Sequence, residues 1–160
     1  MGQQQLLLVI LVTIIVGIAT VVAINTFGAA ADSANVDAVR QDLATIGAAA
    51  QGYYMKPAML GGGSRSFDGS TSEQAREITF NDIAFGATVL GDGDEAQNDN
   101  GLYEIETTDV GFLLLHAYPS SGGAIGARVC PDRIVMGQYS PEETIGTIPS
   151  CQQAEDDEEE

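Results

Sequence analysis

The sequence predicts an α+β fold: one long amino-terminal α-helix, transmembrane at first and then amphipathic, packed on a small antiparallel β-sheet. Three observations predict it. Residues 6–24, LLLVILVTIIVGIATVVAI, carry no charge over 19 positions. Val36, Val39, Leu43, Ile46, Ala50 and Tyr53 then recur at alternating steps of three and four, the spacing that lines side chains along one stripe of a helix. Beyond Pro57, short segments of period two are separated by Gly-, Asp- and Ser-rich turns, as in a sheet with one wet face.

The first element follows from residues 6–24. A helix of this length spans roughly 28 Å, the thickness of a bilayer's hydrocarbon core. A chain of 160 residues has room for one small core, not enough to hide a helix that is apolar on every face. A cleaved secretory signal is the alternative, with Gly28-Ala29-Ala30-Ala31 as its small-residue cleavage site. Against it, Met1-Gly2-Gln3-Gln4-Gln5 has no basic side chain and the apolar core is long for a signal. No Lys or Arg precedes Arg40, so only the terminal amine biases topology. The amino terminus is expected inside and the carboxyl side outside.

The helix is expected to continue past the membrane, from about residue 5 to residue 54. No proline occurs before Pro57, and alanines are frequent between Ala29 and Ala50, which favours helix throughout. Such a helix is about 75 Å long, with Gly17, Gly28 and Gly47 as points where it can bend. The stripe from Val36 to Tyr53 covers fewer than three heptads and is followed by strand-like sequence. It is therefore assigned to packing on a sheet of the same chain rather than to a coiled-coil stalk.

Lys56-Pro57 ends the helix, and residues 61–66 form a loop without periodicity. Strands are expected at 78–85, 102–107, 110–117, 125–130 and 133–137. Alternation is clear in Glu77-Ile78-Thr79-Phe80-Asn81 and in Tyr103-Glu104-Ile105-Glu106. Phe112-Leu113-Leu114-Leu115 is apolar on both faces, which marks a central strand. Residues 92–95 and 120–123 read as connecting loops.

Charge and motif content narrow the function classes. The chain holds 23 Asp and Glu against 6 Lys and Arg, and the excess persists without the acidic run 155–160, which reads as a solvating tail. Such a field repels nucleic acid and anionic lipid and suits a medium in which salt screens self-repulsion. Cys130 and Cys151 sit in no CxxC and beside no histidine, so in an exported domain they read as one disulfide. It closes a loop of about 20 residues, a constraint of roughly 3 kcal/mol. No catalytic residue, cofactor or metal ligand is assigned. His116 is the sole histidine, in an apolar segment, and reads as a structural residue at a strand end. No G-x-S-x-G, Walker A or HExxH pattern is present. Asp92, Asp94, Glu95, Asn98, Asp99 and Asn100 form an oxygen-rich loop without EF-hand spacing. It is read as a solvated acidic turn, with Ca²⁺ binding as the alternative.

A short start ending in Gly2, an unbroken apolar helix that turns amphipathic, a small sheet and a late cysteine pair together resemble the type IV pilin superfamily. That family includes bacterial pilins, type II secretion pseudopilins and related archaeal filament subunits. The resemblance spans the architecture of nearly the whole chain, and its sequence-level part lies in the first 55 residues. It implies a leader at 1–2, a filament-core helix at 3–31, an extracytoplasmic domain at 32–154 and the tail at 155–160. It also implies processing by a prepilin peptidase between Gly2 and Gln3, and polymerisation into a helical homo-oligomer by an ATPase-driven assembly machine. The location implied is a single pass of the inner membrane, then an extracellular filament or periplasmic pseudopilus. Two departures stand out: the leader has no basic residue, and Leu7 occupies the position, fifth after the cut, where the family commonly has Glu. The other readings are a pseudopilin and a monomeric membrane-anchored binding protein. The mature chain is expected to start at Gln3, which intact-mass measurement of native protein checks; a mass for a chain starting near Ala31 would establish the cleaved-signal alternative.

Overall fold

The computed structural model describes residues 2–138, 148, 150 and 151. Helix α1 runs over Gly2–Met55, slightly beyond the expected limits at both ends. Neither Gly17, Gly28 nor Gly47 interrupts it. Lys56 closes its last turn by donating to the carbonyls of Gly52 and Tyr53, both at 3.2 Å, and Pro57, which has no N–H to donate, stops it there. By its contacts the chain divides into two compact units, one ending at Ala34 and the other beginning at Asn35.

In the first unit α1 presents apolar side chains on every side, and all are exposed. Its hydroxyls are satisfied locally: Thr13, Thr20 and Thr26 donate to the carbonyls of Ile10, Val16 and Val22 at 2.8–2.9 Å. These three hydroxyls therefore need no water to complete their bonding.

The second unit is a six-stranded antiparallel meander against which the rest of α1 packs. Its strands are β1 Thr88–Leu90, β2 Glu95–Gln97, β3 Gly101–Thr108, β4 Leu113–Pro119, β5 Ile125–Val129 and β6 Ile134–Gln138, in sheet order β1-β2-β3-β4-β5-β6. Val39, Leu43, Ile46, Ala50 and Tyr53 are buried as the stripe requires, with Val36 partly buried at its start. They meet Tyr103, Ile105, Leu113, Leu115, Ala117, Ala127 and Val129, which alternate onto one face of β3, β4 and β5. Gly47 marks the closest approach: a Cβ there would lie 2.6 Å from the Ile134 Cδ1.

On β4 and β5, Leu114, His116 and Arg128 alternate to the opposite face, yet they too are buried. Phe112-Leu113-Leu114-Leu115 was expected in a central strand, and Leu113–Leu115 do lie in β4, between β3 and β5. Cys130 and Cys151 are disulfide-bonded across 21 residues. This ties Cys151 to the end of β5. The tail at 155–160 lies outside the described residues.

The strand expected at 78–85 is a loop. Ile78, Phe80 and Ile83 are buried in the helix-side core, so the alternation reported burial correctly. Their backbone, however, makes isolated bonds instead of a ladder: Ile78 N–H to the Phe67 carbonyl at 2.9 Å and Phe80 N–H to that of Gly93 at 2.8 Å. The Asp82 carboxylate accepts from the N–H and hydroxyl of Thr79 at 3.2 and 3.0 Å, closing a turn. The strand expected to start at 110 starts at Leu113, because Asp109 N–H donates to the Phe112 carbonyl in a tight turn. β1 and β2, three residues each, went unforeseen; so short a run has no measurable period.

A polar clasp joins α1 to the β2–β3 turn. Asp42 Oδ2 accepts from the side-chain amides of Asn98 and Asn100 at 2.9 and 2.8 Å and from the Tyr103 hydroxyl at 2.5 Å. About two turns earlier on the helix, Asn35 donates to the Asn100 carbonyl at 3.0 Å and accepts from the N–H and hydroxyl of Ser121 at 3.1 and 2.9 Å. Burial alone would raise the Asp42 pKa; the bonds from Asn100, Tyr103 and Asn98 outweigh it and hold the carboxyl below its ordinary value of 3.8. The carboxylate's contribution is therefore present above that value and is lost as pH falls through the lower folded value. Asp42→Ala removes the acceptor of three donors and is expected to cost about 1–3 kcal/mol at neutral pH. Denaturant titrations at neutral and strongly acid pH check this: the gap between wild type and variant should narrow in acid, and a gap constant with pH would show that the charge contributes nothing.

Candidate functional site

The feature of this chain that demands a function is the first half of α1. Its residues are there for their apolarity: Leu, Val and Ile fill residues 6–24 almost completely, and the first charge is Asp32. In the second unit α1 buries one stripe and leaves polar residues outside. In the first, Leu7 is 68 % exposed, Val16 57 % and Phe27 76 %. Among the described residues, those side chains take no part in the buried core. The helix is long and apolar enough to cross a membrane, and its backbone bonds are made internally, as a hydrocarbon environment requires.

Gly2 and Gln3, the expected processing pair, are the first two residues of α1. A Cβ at Gly2 would meet nothing within 4 Å, so packing gives no reason for glycine there.

His116 lies inside β4, not at a strand end, and is 3 % exposed. Its Nε2 is 3.0 Å from Glu106 Oε2. A register shift between Ile105 and Thr107 places Glu106 in a bulge of β3, beside the strand that carries the histidine. Burial lowers the His116 pKa, against the pull of Glu106 and Glu104. The pair joins two neighbouring strands, and among the described residues no set of three or more His, Cys, Asp or Glu is arranged to hold a metal.

The oxygen-rich stretch 92–100 is divided by strand β2. Asp92 and Asp94 lie in the β1–β2 turn, while Asn98, Asp99 and Asn100 lie in the β2–β3 turn at the other end. Asn98 and Asn100 turn their amides to Asp42; Asp92, Asp94, Glu95 and Asp99 remain exposed. The stretch is thus two turns and a strand, and its asparagines serve the clasp.

An open groove of about 390 Å³ beside β5 and β6 is lined mainly by glycine and apolar residues, including Val36, Pro119, Ile125 and Met136. Its charged lining residue, Arg40, is paired with Asp37 at 3.2 Å. This is no arrangement of nucleophile and base.

Sequence reasoning did not find the clasp, whose partners lie 56–61 residues apart, nor the stacking of Arg128 on Phe112 at 5.2 Å. It also passed over an apolar turn at residues 55–60, where Met55, Met59 and Leu60 are exposed; the methionines there were visible, but nothing in the sequence set their exposure.

No protein-family model, curated protein or solved structure matches the chain. The division at Ala34 supplies a direct check on the apolar helix. A chain starting at Asp32 is expected to stay soluble and keep its disulfide and a cooperative melt, while the full chain sediments with membranes and resists carbonate extraction. Sedimentation of both forms, or of neither, would refute the assignment.

Proposed function

We propose that this chain is a structural subunit of a type IV pilus-like extracellular filament, assembled through its apolar amino-terminal helix. The observation that carries the reading is a single unbroken helix whose second half is the spine of a folded domain and whose first half is apolar on all faces and uncovered by its own chain. Before assembly that half is held in the inner membrane. Once it leaves the lipid, its side chains must be covered again, and copies of the same helix cover them at the smallest cost in exposed apolar surface. Alanine and glycine at residues 28–31 let helix backbones approach closely at the outer end of the segment. Contacts between copies that do not close on themselves extend into a helical filament.

In this reading the chain is no enzyme and takes no cofactor. Its partners are other copies of itself, a prepilin peptidase acting between Gly2 and Gln3, and the assembly machinery in the membrane. The domain carries the disulfide Cys130–Cys151 outside the cytoplasm, where such bonds persist.

Val16→Asp tests the assembly role. A carboxylate at the middle of the apolar run costs roughly 2.5–3.5 kcal/mol on membrane-insertion scales, and more where it is buried and unpaired. Filaments sheared from cells and identified by mass spectrometry are expected to contain the wild-type chain and to be absent from the variant. Normal filament yield from the variant would exclude the helix as the assembly core. Absence of the wild-type chain from any filament would favour a membrane-anchored monomer.

A further inference from the structure

We propose that the turn after α1 is a second assembly surface, an apolar and basic knob that docks on the acidic β1–β2 end of a neighbouring copy. The proposal rests on the filament reading only in that the filament supplies the neighbour.

The knob is built, not merely exposed. After α1, a single 3-10 turn at Ala58–Leu60 is capped by Gly61 in the left-handed conformation, φ 78°. Backbone bonds then fold the chain back on the helix end: Gly63 N–H to the Tyr53 carbonyl at 2.9 Å, Ser64 N–H to Lys56 at 3.0 Å and Arg65 N–H to Tyr54 at 2.8 Å. The Ser64 hydroxyl accepts from Ala58 N–H at 2.7 Å. The fit admits only glycine at two places: a Cβ at Gly62 would stand 2.3 Å from the Lys56 carbonyl oxygen, and one at Gly63 1.9 Å from that of Ser66. The polar backbone thus faces inward, and what this fixed turn presents to solvent is apolar. Met59 is 87 % exposed, Met55 71 % and Leu60 67 %. Fixed apolar side chains projecting from a folded surface are the anchors of protein contacts, and methionine adapts readily to the surface it meets.

Charge identifies the occupant. Residues 43–67 contain no acid but include Lys56 and Arg65. The next acid in sequence, Asp68, is engaged by the Ser66 hydroxyl and the Ser70 N–H. Every one of the 23 acids lies elsewhere in the chain. Between Arg76 and Arg128 there is no Lys or Arg, and at the β1–β2 end of that stretch Asp92, Asp94 and Glu95 are exposed. The chain therefore carries both halves of a complementary pair on two different turns. A contact between unlike surfaces is heterologous, so it propagates from copy to copy instead of closing a dimer. An anionic bilayer is the poorer partner, because the acidic field around the knob repels it.

A photo-reactive amino acid at position 59 of the full chain, irradiated in native membranes and sheared filaments, tests this, with a second probe at position 11 reporting helix-mediated assembly. Position 59 is expected to cross-link to residues 92–95 of another copy. Combined Lys56→Glu and Arg65→Glu should cut that adduct about fivefold or more, since two attractions become repulsions. Adducts from position 59 that are only intramolecular, or reach lipid or another protein, or do not form, overturn the docking proposal whatever position 11 gives. Interchain adducts at 59 without any at 11 uphold the docking surface and overturn the helix-built filament.

Discussion

The rest of the structure depends on the burial of one stripe of α1 against one face of the sheet. Leu43, Ile46 and Val39 are wholly buried there, and each such side chain contributes roughly 1.5–3 kcal/mol relative to exposure. A meander whose β1 and β2 have three residues each has little stability of its own. The helix supplies the apolar layer it lacks. This requirement also explains Gly47, which lets Ile134 of the edge strand close over the helix. It explains why Ile78, Phe80 and Ile83 are drawn into the core without forming a strand. The long segment before β1 is held by the side chains it buries and by a few single backbone bonds.

The polar clasp around Asp42 complements that apolar contact. An apolar stripe tolerates sliding along its axis, whereas a carboxylate accepting three short bonds from Asn98, Asn100 and Tyr103 fixes one register. Asn35 reaches the same turn and Ser121 beyond it. The start of the domain is thereby fastened where the uncovered part of the helix gives way to the packed part.

The helix and its stripe were legible in the sequence because both are periodic over many residues. Six positions from Val36 to Tyr53 keep one spacing, and chance alignment over that length is improbable. The middle strands were legible for a related reason: β4 carries Leu113, Leu114 and Leu115, and only a covered strand tolerates apolar residues on both faces. The loop at 78–85 was misread because alternation reports which side chains are buried, not whether a ladder partner exists. Strands β1 and β2 are too short to have a period. The clasp was hidden in principle, since an Asp, two Asn and a Tyr far apart in sequence are unremarkable until the fold brings them together. The apolar helix was fully legible, because 19 uncharged residues in a row need no partner elsewhere in the chain to be read.

In the proposed filament, a chain with net charge −17 would face a physical conflict, because like fields oppose association before any contact is made. Salt confines that repulsion to about a Debye length, 8–10 Å under ordinary conditions. It does not remove it at contact distances. The distribution of residues answers the conflict locally. The stretch proposed to meet other copies has no charged side chain from residue 2 to residue 31, so side-chain repulsion there would be absent. The turn after α1 carries base without acid, so under the docking proposal a neighbour's acidic surface would meet attraction beside the exposed Met55, Met59 and Leu60. The remaining surface keeps its acids in water, where they oppose irregular aggregation between copies in any other orientation. In such an assembly the same excess charge that hinders association would also select its geometry, by leaving the uncharged and the basic surfaces as the ones free to touch.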